Sequence, residues 1–395
     1  MKISKQFFNL FTKVFWFSLI LGLFVTVFLA VTSNYALKSD FLSVYTGALI
    51  VRMGEGKDLY DETVQRRLQQ NLLDQSNGKI GVNTNLLPYL NLPALTLFFI
   101  PFTFLEYTFS YKIYMCVLIL FLLFISIISA KIFKGITRFS FWSLMPFLFY
   151  PSIGSVFMGQ MSAILVFLFL AIIYYCKKKN YFWVGILASL LLLKIQYFIA
   201  IPFFFVLAKG KSSYLKGLFL GTVIILGLSF LISGIFLTDY RNLLVEAQRP
   251  EYGLLDSKMF TLYASLKQLT LFSYLNFNKL FIINFIIYLL FLVQFAIIKN
   301  KITFERGLVV AVLLTMVFCI HGVDYDQSLL LIPIYTLLEL VRNKNATAID
   351  KAVLILLAIV PALILTGNGV YTSFVLLLTV ILLVKSQVSG YLKKI

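Results

Sequence analysis

Runs of about 17 to 25 apolar residues recur along the whole chain, separated by short loops that carry Lys or Arg. Runs of this length can cross a bilayer as helices, which satisfy their own backbone hydrogen bonds in lipid. Hydrophobic residues fill 61% of the 395 positions and charged residues only 13%, whereas about a quarter is usual in soluble domains. We therefore predict an all-α, polytopic integral membrane protein.

The hydrophobic runs predict about twelve spans, with both termini on the cytoplasmic side. The first run follows three lysines and is longer than a signal-peptide core of about 7–15 residues, so it is interpreted as an uncleaved anchor. Three prolines interrupt the apolar segment Leu86–Leu105, which is expected to be juxtamembrane or re-entrant instead of spanning. The predicted spans are 15–33, 110–130, 139–157, 160–176, 181–193, 195–208, 214–237, 279–298, 303–320, 326–341, 350–366 and 369–385.

Charge is distributed unevenly between the two predicted faces. The cytoplasmic segments hold 21 of the 34 bases but only 3 of the 16 acids. The positive-inside rule predicts this asymmetry, so the net charge of +18 does not indicate a nucleic-acid partner. We expect a multi-pass protein of the plasma (inner) membrane, in contact with membrane lipid.

The chain is predicted to form a single integral membrane domain over residues 1–395. Within it we expect an outer loop with amphipathic and re-entrant helices, a first helical module, a second outer loop and a C-terminal helical module. These parts cover 34–109, 110–237, 238–278 and 279–395. The three cysteines lie in or beside hydrophobic runs without CxxC spacing, so neither a disulfide nor a metal site is expected.

The longest polar loop follows the first span, on the predicted extracytoplasmic face. From 34 to 85 it carries six acids and six bases, and Asp40 stands near its start in the stretch Ser39–Asp61. Two interpretations of Asp40 are open. It is either a catalytic base, or a solvated acid or helix N-cap, since it precedes the amphipathic run Phe41–Met53.

Lys194 lies between two short apolar runs, 181–193 and 195–208. Each run is about 20 Å long as a helix, against a hydrocarbon core of about 30 Å, so the turn between them is expected below the outer surface. A lysine inside a membrane is costly unless it is paired, which makes Lys194 a functional candidate. The alternative is a lysine that snorkels from a helix end.

Further polar residues converge on the same predicted face, and a site of this composition suits an anionic substrate. A sugar held on a lipid phosphate already has a good leaving group, so one carboxylate base and cations suffice for its transfer. Asp40 would then be the base, with Lys194, His321 and Arg249 as the cations. The Asp324-x-Asp326 pair is a weak metal signal, and no metal or other cofactor is indicated.

The order of these motifs resembles glycosyltransferase family 87, membrane transferases of the GT-C type that include polyprenyl-phosphate-mannose-dependent mannosyltransferases. The matching stretches are Asp40-Phe41 with Tyr45, Gly47 and Ala48; Gly56–Tyr60; the proline-rich segment LLPYLNLPALTLFFIPF; Gly159-Gln160; Gly185 to Lys194; and His321–Asp326. Two of these stretches depart from the family pattern: Pro88–Asn91 reads PYLN where Tyr-Pro-Pro is usual, and Ile195 follows Lys194 where a proline is common.

The resemblance implies an inverting transfer of mannose or a related hexose or pentose from a polyprenyl-phosphate donor to a lipid or glycan acceptor, on the extracytoplasmic face. It implies Asp40 as the general base, with donor-phosphate or substrate contacts from Tyr45, Gln160, Lys194, Gln196, Arg249, His321, Asp324, Tyr325 and Asp326. Two alternatives stay open: another polyprenyl-linked glycan enzyme such as an O-antigen polymerase or ligase, and a lipid-glycan transporter or flippase. A transporter would be expected to have broken segments in both halves of the chain, whereas the two broken segments here lie in the first half.

Overall fold

The computed structural model describes residues 39–75, 87–134, 141–247, 258–269, 275–364 and 369–392. The described residues are mostly helical and contain no β-strand, which confirms the all-α prediction for this part of the chain. The α-helices are α1 (Phe41–Arg52), α2 (Glu62–Gln75), α3 (Thr96–Phe99), α4 (Tyr107–Ile132), α5 (Met145–Leu148), α6 (Tyr150–Phe157), α7 (Ser162–Lys177), α8 (Tyr181–Ser189), α9 (Ala200–Leu207), α10 (Lys211–Ser233), α11 (Leu237–Glu246), α12 (Leu262–Gln268), α13 (Phe277–Ile298), α14 (Phe304–Phe318), α15 (Leu331–Arg342), α16 (Ala348–Ile364) and α17 (Gly369–Leu392).

Three of these helices are long and apolar enough to cross a membrane: α4, α10 and α13, with 26, 23 and 22 residues. Both α10 and α13 expose large apolar side chains, among them Phe219, Leu231 and Leu290. Surfaces of this kind are stable against lipid tails. Four other predicted spans, 160–176, 181–193, 195–208 and 369–385, correspond to shorter apolar helices, and the first predicted span, 15–33, lies outside the described residues.

The predicted span 139–157 is not a continuous helix. It consists of a 3₁₀ turn at Phe141–Leu144 followed by the short helices α5 and α6. Pro146 and Pro151 stand in the first turns of α5 and α6. A proline is tolerated in a first turn but lacks the N–H that a helix interior needs, so the run is divided where these residues occur.

The proline-rich segment is also broken over its described residues, 87–105, as the sequence predicts. From residue 93 it forms a 3₁₀ turn, the one-turn helix α3 and a second 3₁₀ turn, Ile100–Phe104. Its beginning is tied to α2, because the Gln65 side chain accepts a hydrogen bond from the Tyr89 N–H at 2.8 Å. The segment is therefore packed in a fixed position against the rest of the protein.

Helices α8 and α10 pack at very short range. A Cβ on Gly217 would lie 2.0 Å from the Phe182 carbonyl oxygen, and one on Gly185 would lie 2.1 Å from that of Tyr214. Small residues that let backbones meet in this way are typical of helix pairs in membranes. The contact fixes α8, whose continuation through the 3₁₀ turn Leu190–Leu193 ends at Lys194.

An aromatic cluster fixes the start of α1. Phe41 is fully buried, with its ring centroid 4.9 Å from that of Tyr114 and 5.8 Å from that of Tyr107, both on α4. Nearby, the 3₁₀ segment Asp324–Leu330 packs against α6 and α7. The start of α1, the loop after α6, the Lys194 turn and the Asp324 segment thus meet at one place.

Candidate active site

Asp40 occupies the N-cap position of α1, but its carboxylate does not cap the helix. Its Oδ2 accepts a hydrogen bond from Gln160 Nε2 at 2.5 Å, and the Tyr325 hydroxyl also hydrogen-bonds to it. An ordinary N-cap aspartate would accept from backbone N–H groups of the first turn instead. The side chain therefore belongs to a tertiary cluster of polar groups.

The loop after α6 brings Gln160 to Asp40. The Asp40 N–H donates to the Met158 carbonyl at 2.8 Å, and the Gln160 N–H donates to the Ser155 carbonyl at 2.8 Å. Between them, Gly159 has a φ of +62°, a left-handed conformation that glycine adopts at least cost. The glycine of the Gly159-Gln160 pair permits the left-handed turn, and this turn brings the glutamine side chain to the Asp40 carboxylate.

Lys194 is buried and paired. Its ammonium lies 3.1 Å from Asp326 Oδ1 and 3.4 Å from Gln160 Oε1. Asp326 Oδ1 also accepts from the Ser162 hydroxyl at 3.0 Å, and its Oδ2 accepts from the Val323 N–H at 3.4 Å. A continuous chain of polar contacts therefore runs from Asp326 through Lys194 and Gln160 to Asp40.

Asp40, Gln160 and Lys194 border a cavity of about 490 Å³, a size typical of small-molecule sites. The site residues predicted from sequence that line it are Asp40, Gln160, Lys194, Gln196, His321, Asp324 and Tyr325. Apolar walls come from Val44, Leu87, Leu90, Met158, Met161, Met259 and Val323. The lining therefore combines a carboxylate and basic side chains with apolar side chains.

Two predicted site residues that the structure describes, Tyr45 and Asp326, are not part of this lining. Tyr45 is buried among aromatic rings, and its hydroxyl donates to the Leu105 carbonyl at 3.1 Å. Asp326 is buried beneath Lys194. Arg249 lies outside the described residues, so its assignment stays a prediction.

Lys258 lines the cavity and was not predicted as a site residue. It is exposed, and its positive charge lowers the pKa of the neighbouring Asp324 carboxyl, although burial raises that pKa more. The only sequence signal for it is its place in the second outer loop. Among the described residues, no three His, Cys, Asp or Glu side chains lie close enough together to hold a metal ion. That the protein needs no cofactor stays a prediction.

Burial raises the pKa of Asp40, which precedes α1 and lies outside the predicted spans. The hydrogen bonds from Gln160 and Tyr325 and the charge of Lys194 oppose this effect, while the nearby charge of Asp326 adds to it. A carboxylate with a raised pKa is a stronger base than one in water. The arrangement can therefore accept a proton from a hydroxyl bound in the cavity.

An apolar helical chain with a carboxylate and basic side chains around such a cavity has the composition of a membrane-embedded enzyme. The family model of glycosyltransferase family 87 matches residues 89–333, more than half of the chain. The protein belongs to this family and is a glycosyltransferase, which excludes the transporter alternative. No curated protein and no solved structure matches the chain.

The matched segment begins well after Asp40, yet it contains the residues that contact Asp40. Gln160, Lys194 and Tyr325 all lie within 89–333. The hydrogen bonds from Gln160 and Tyr325 therefore join a carboxylate from outside the match to residues of the family segment, in the wall of one cavity.

Proposed function

We propose that this glycosyltransferase moves a sugar, mannose or a related hexose or pentose, from a polyprenyl-phosphate donor to a lipid or glycan acceptor. The observation that supports this best is the Asp40 carboxylate in the wall of a cavity that also carries His321, Lys194 and Lys258. Base and cations are the two elements that displacement of a phosphate leaving group requires.

In the proposed reaction, Asp40 accepts the proton of the acceptor hydroxyl while that oxygen attacks the anomeric carbon of the donor sugar. The bond between the anomeric carbon and the phosphate oxygen breaks, and the electron pair leaves with the polyprenyl phosphate. A single displacement inverts the anomeric configuration. No second carboxylic acid is needed, because a phosphate leaves without being protonated, unlike an alcohol.

The basic side chains of the cavity wall are the candidates to hold that phosphate. Lys194 already shares its charge with Asp326, 3.1 Å away. His321 and Lys258 line the cavity beside it, and we assign the main phosphate contact to these two, with Arg249 as a further candidate from the sequence. Gln196 and Asp324 also line the cavity and are assigned to the sugar hydroxyls.

The apolar part of the lining supports a lipid-linked donor. Met158, Met161 and Met259 are flexible side chains that adapt to an irregular hydrocarbon chain. We further propose twelve spans in the plasma membrane, both termini in the cytoplasm and an active site on the extracytoplasmic face, because the excess of Lys and Arg follows that arrangement. Nucleotide sugars are confined to the cytoplasm, so a site on the outer face requires a lipid-linked donor.

The test measures transfer from a panel of labelled polyprenyl-phosphate sugars into endogenous acceptors, in membranes with wild-type protein or Asp40→Asn at equal abundance. We expect transfer by the wild type and a loss of about 10²–10⁴-fold in the variant, the usual contribution of a general base. Asp58→Asn is the matched control, since Asp58 is exposed in the same outer loop, and it should retain full transfer. Equal transfer by Asp40→Asn would remove Asp40 from the mechanism, and no wild-type transfer from any polyprenyl donor would refute the donor class.

A further inference from the structure

The Gln160 side chain connects two groups of opposite charge. Its Nε2 lies 2.5 Å from Asp40 Oδ2 and 3.1 Å from the Tyr325 hydroxyl oxygen, while its Oε1 lies 3.4 Å from Lys194 Nζ. An ammonium group only donates hydrogen bonds and an ionised carboxylate only accepts them. The amide therefore fits between Lys194 and Asp40 in one orientation, with its NH₂ group toward the carboxylate.

Lys194 is itself held in place by its ion pair with Asp326. The side chains of Lys194 and Asp326 are 9% and 1% exposed, and Asp326 accepts further hydrogen bonds from Ser162, the Val323 N–H and Tyr197. A buried ion pair whose carboxylate has this many donors keeps a fixed geometry, because separating the charges leaves one of them uncompensated. The ammonium that orients Gln160 is thus rigid.

We infer that Lys194 and Asp326 are a positioning pair: they fix the Gln160 amide so that it donates to Asp40 and aims the carboxylate at the acceptor hydroxyl. This assigns to Lys194 a role different from the phosphate contact that the sequence suggested. The inference rests on the proposed function, because it takes Asp40 as the base.

The pH dependence of transfer distinguishes the two roles. Asp40 is faced by Gln160 from the loop after α6, by Lys194, by Tyr107 from α4, and by Tyr325 and Asp326 from the segment Asp324–Leu330. His321, Asp324 and Lys258 line the same cavity. Of these groups, Gln160 is the one that transmits the orientation of Lys194, so loss of either should make the Asp40 carboxylate harder to ionise.

The experiment compares pH profiles of kcat/KM for the polyprenyl-phosphate donor found in the wild-type assay. Gln160→Met removes the amide donor, and Gln160→Glu replaces it with an acceptor of the same shape. A charge-conserving double variant, Lys194→Met with Asp326→Asn, removes the pair together and avoids a buried unpaired charge. Gln70→Glu on the exposed side of α2 is the control.

The acid limb of the profile is the range in which kcat/KM falls as the pH drops. We expect this limb to move to higher pH by about one unit in Gln160→Met and in the double variant, and further in Gln160→Glu, with little change in donor KM. Lys194→Arg should keep a limb near the wild-type position. A donor KM raised tenfold or more in the double variant, with an unmoved acid limb, would overturn the inference and make Lys194 a phosphate ligand. That outcome leaves Asp40 as the base, whereas equal transfer by Asp40→Asn would refute the proposed base itself.

If the double variant does not accumulate in membranes, Gln160→Met and Gln160→Glu decide the question. An acid limb at the wild-type pH in both would overturn the inference, because neither side chain can donate the Gln160 hydrogen bond when Glu is ionised. A purely structural role would lower the amount of folded protein and leave the pH profile in place.

Discussion

Gly159 lies against the first residue of α1: a Cβ built on Gly159 would come within 2.7 Å of Phe41 Cβ. The glycine also has a φ of +62°, which disfavours any side chain. Because Asp40 precedes Phe41 and Gln160 follows Gly159, this one close approach sets the separation between the proposed base and its amide partner.

Gly159→Ala should therefore reduce transfer at least tenfold and lower the thermal stability of the protein in detergent. The new methyl group must push the loop away from α1, which lengthens the hydrogen bond between Gln160 and Asp40. Gly154→Ala is the control, since no atom lies within 4 Å of the Cβ position there and alanine favours the helix α6 by about 0.5–1 kcal/mol. Wild-type transfer by Gly159→Ala would contradict the assigned role of this contact.

The wild-type pH profile should lose activity on acidification at a higher pH than an ordinary aspartate would produce. Burial raises the pKa of Asp40 despite its hydrogen bonds from Gln160 and Tyr325, and the base works only when ionised. Transfer should thus fall as the pH drops through that raised pKa, measured as kcat/KM. A profile that stays flat down to about pH 4, the ordinary range of aspartate, would contradict it.

The same shift predicts the stability of the Asp40→Asn variant. A carboxyl whose folded-state pKa is raised favours folding in its neutral form, and this contribution is lost as the pH rises through the folded-state pKa. At neutral pH the ionised Asp40 therefore opposes folding. Asp40→Asn should unfold at the wild-type temperature or above it near pH 7, so its loss of transfer would not reflect unfolding; a clear decrease in that temperature would contradict the shift.

The sequence predicts the helical class and most of the polar residues of the cavity wall, for separate physical reasons. Long apolar runs leave helices as the only stable structure in lipid, and a lysine between two short runs indicates a buried polar site. The order of the motifs predicts Asp40, Gln160 and His321 as site residues, and the structure places all three around one cavity. The sequence indicates which residue types lie at a given depth in the membrane, and folding does not change that.

The contacts themselves could not be predicted. That Lys194 pairs with Asp326 depends on the packing of segments more than a hundred residues apart, which no local pattern encodes. The motif predicts Tyr45 in the site, but its ring packs against Tyr107 and its hydroxyl donates to the Leu105 carbonyl. The break in 139–157 was missed because its prolines stand within an otherwise uniform apolar run.

The packing of α8 on α10 predicts a strong effect of one added methyl group. Gly217→Ala should lower stability by about 1–3 kcal/mol, because the Cβ position is only 2.0 Å from the Phe182 carbonyl oxygen and the helices must separate. Gly227→Ala on the same helix has no atom within 4 Å of its Cβ position and serves as the control. Thermal unfolding in detergent compares the two variants, and equal stabilities would contradict the close packing.

A second buried ion pair lies at the other end of α14 from the cavity. Arg306 Nη2 lies 2.8 Å from Asp350 Oδ2 on α16, and the same carboxylate oxygen accepts from the Thr347 N–H at 2.7 Å. Asp350 is fully buried, so removing the arginine alone leaves an uncompensated negative charge. Arg306→Met should therefore destabilise the protein by about 3–5 kcal/mol, the usual cost of breaking such a pair.

The double variant Arg306→Met with Asp350→Asn should recover much of that stability, because no charge is left unpaired. Transfer per folded molecule should be unchanged in both variants, since the 15 residues of α14 put about 20 Å between Arg306 and the cavity end of the helix. Unfolding temperatures in detergent and transfer rates normalised to folded protein check the two statements separately. A double variant as unstable as Arg306→Met would mean that the Arg306 side chain stabilises by its packing and not by its charge.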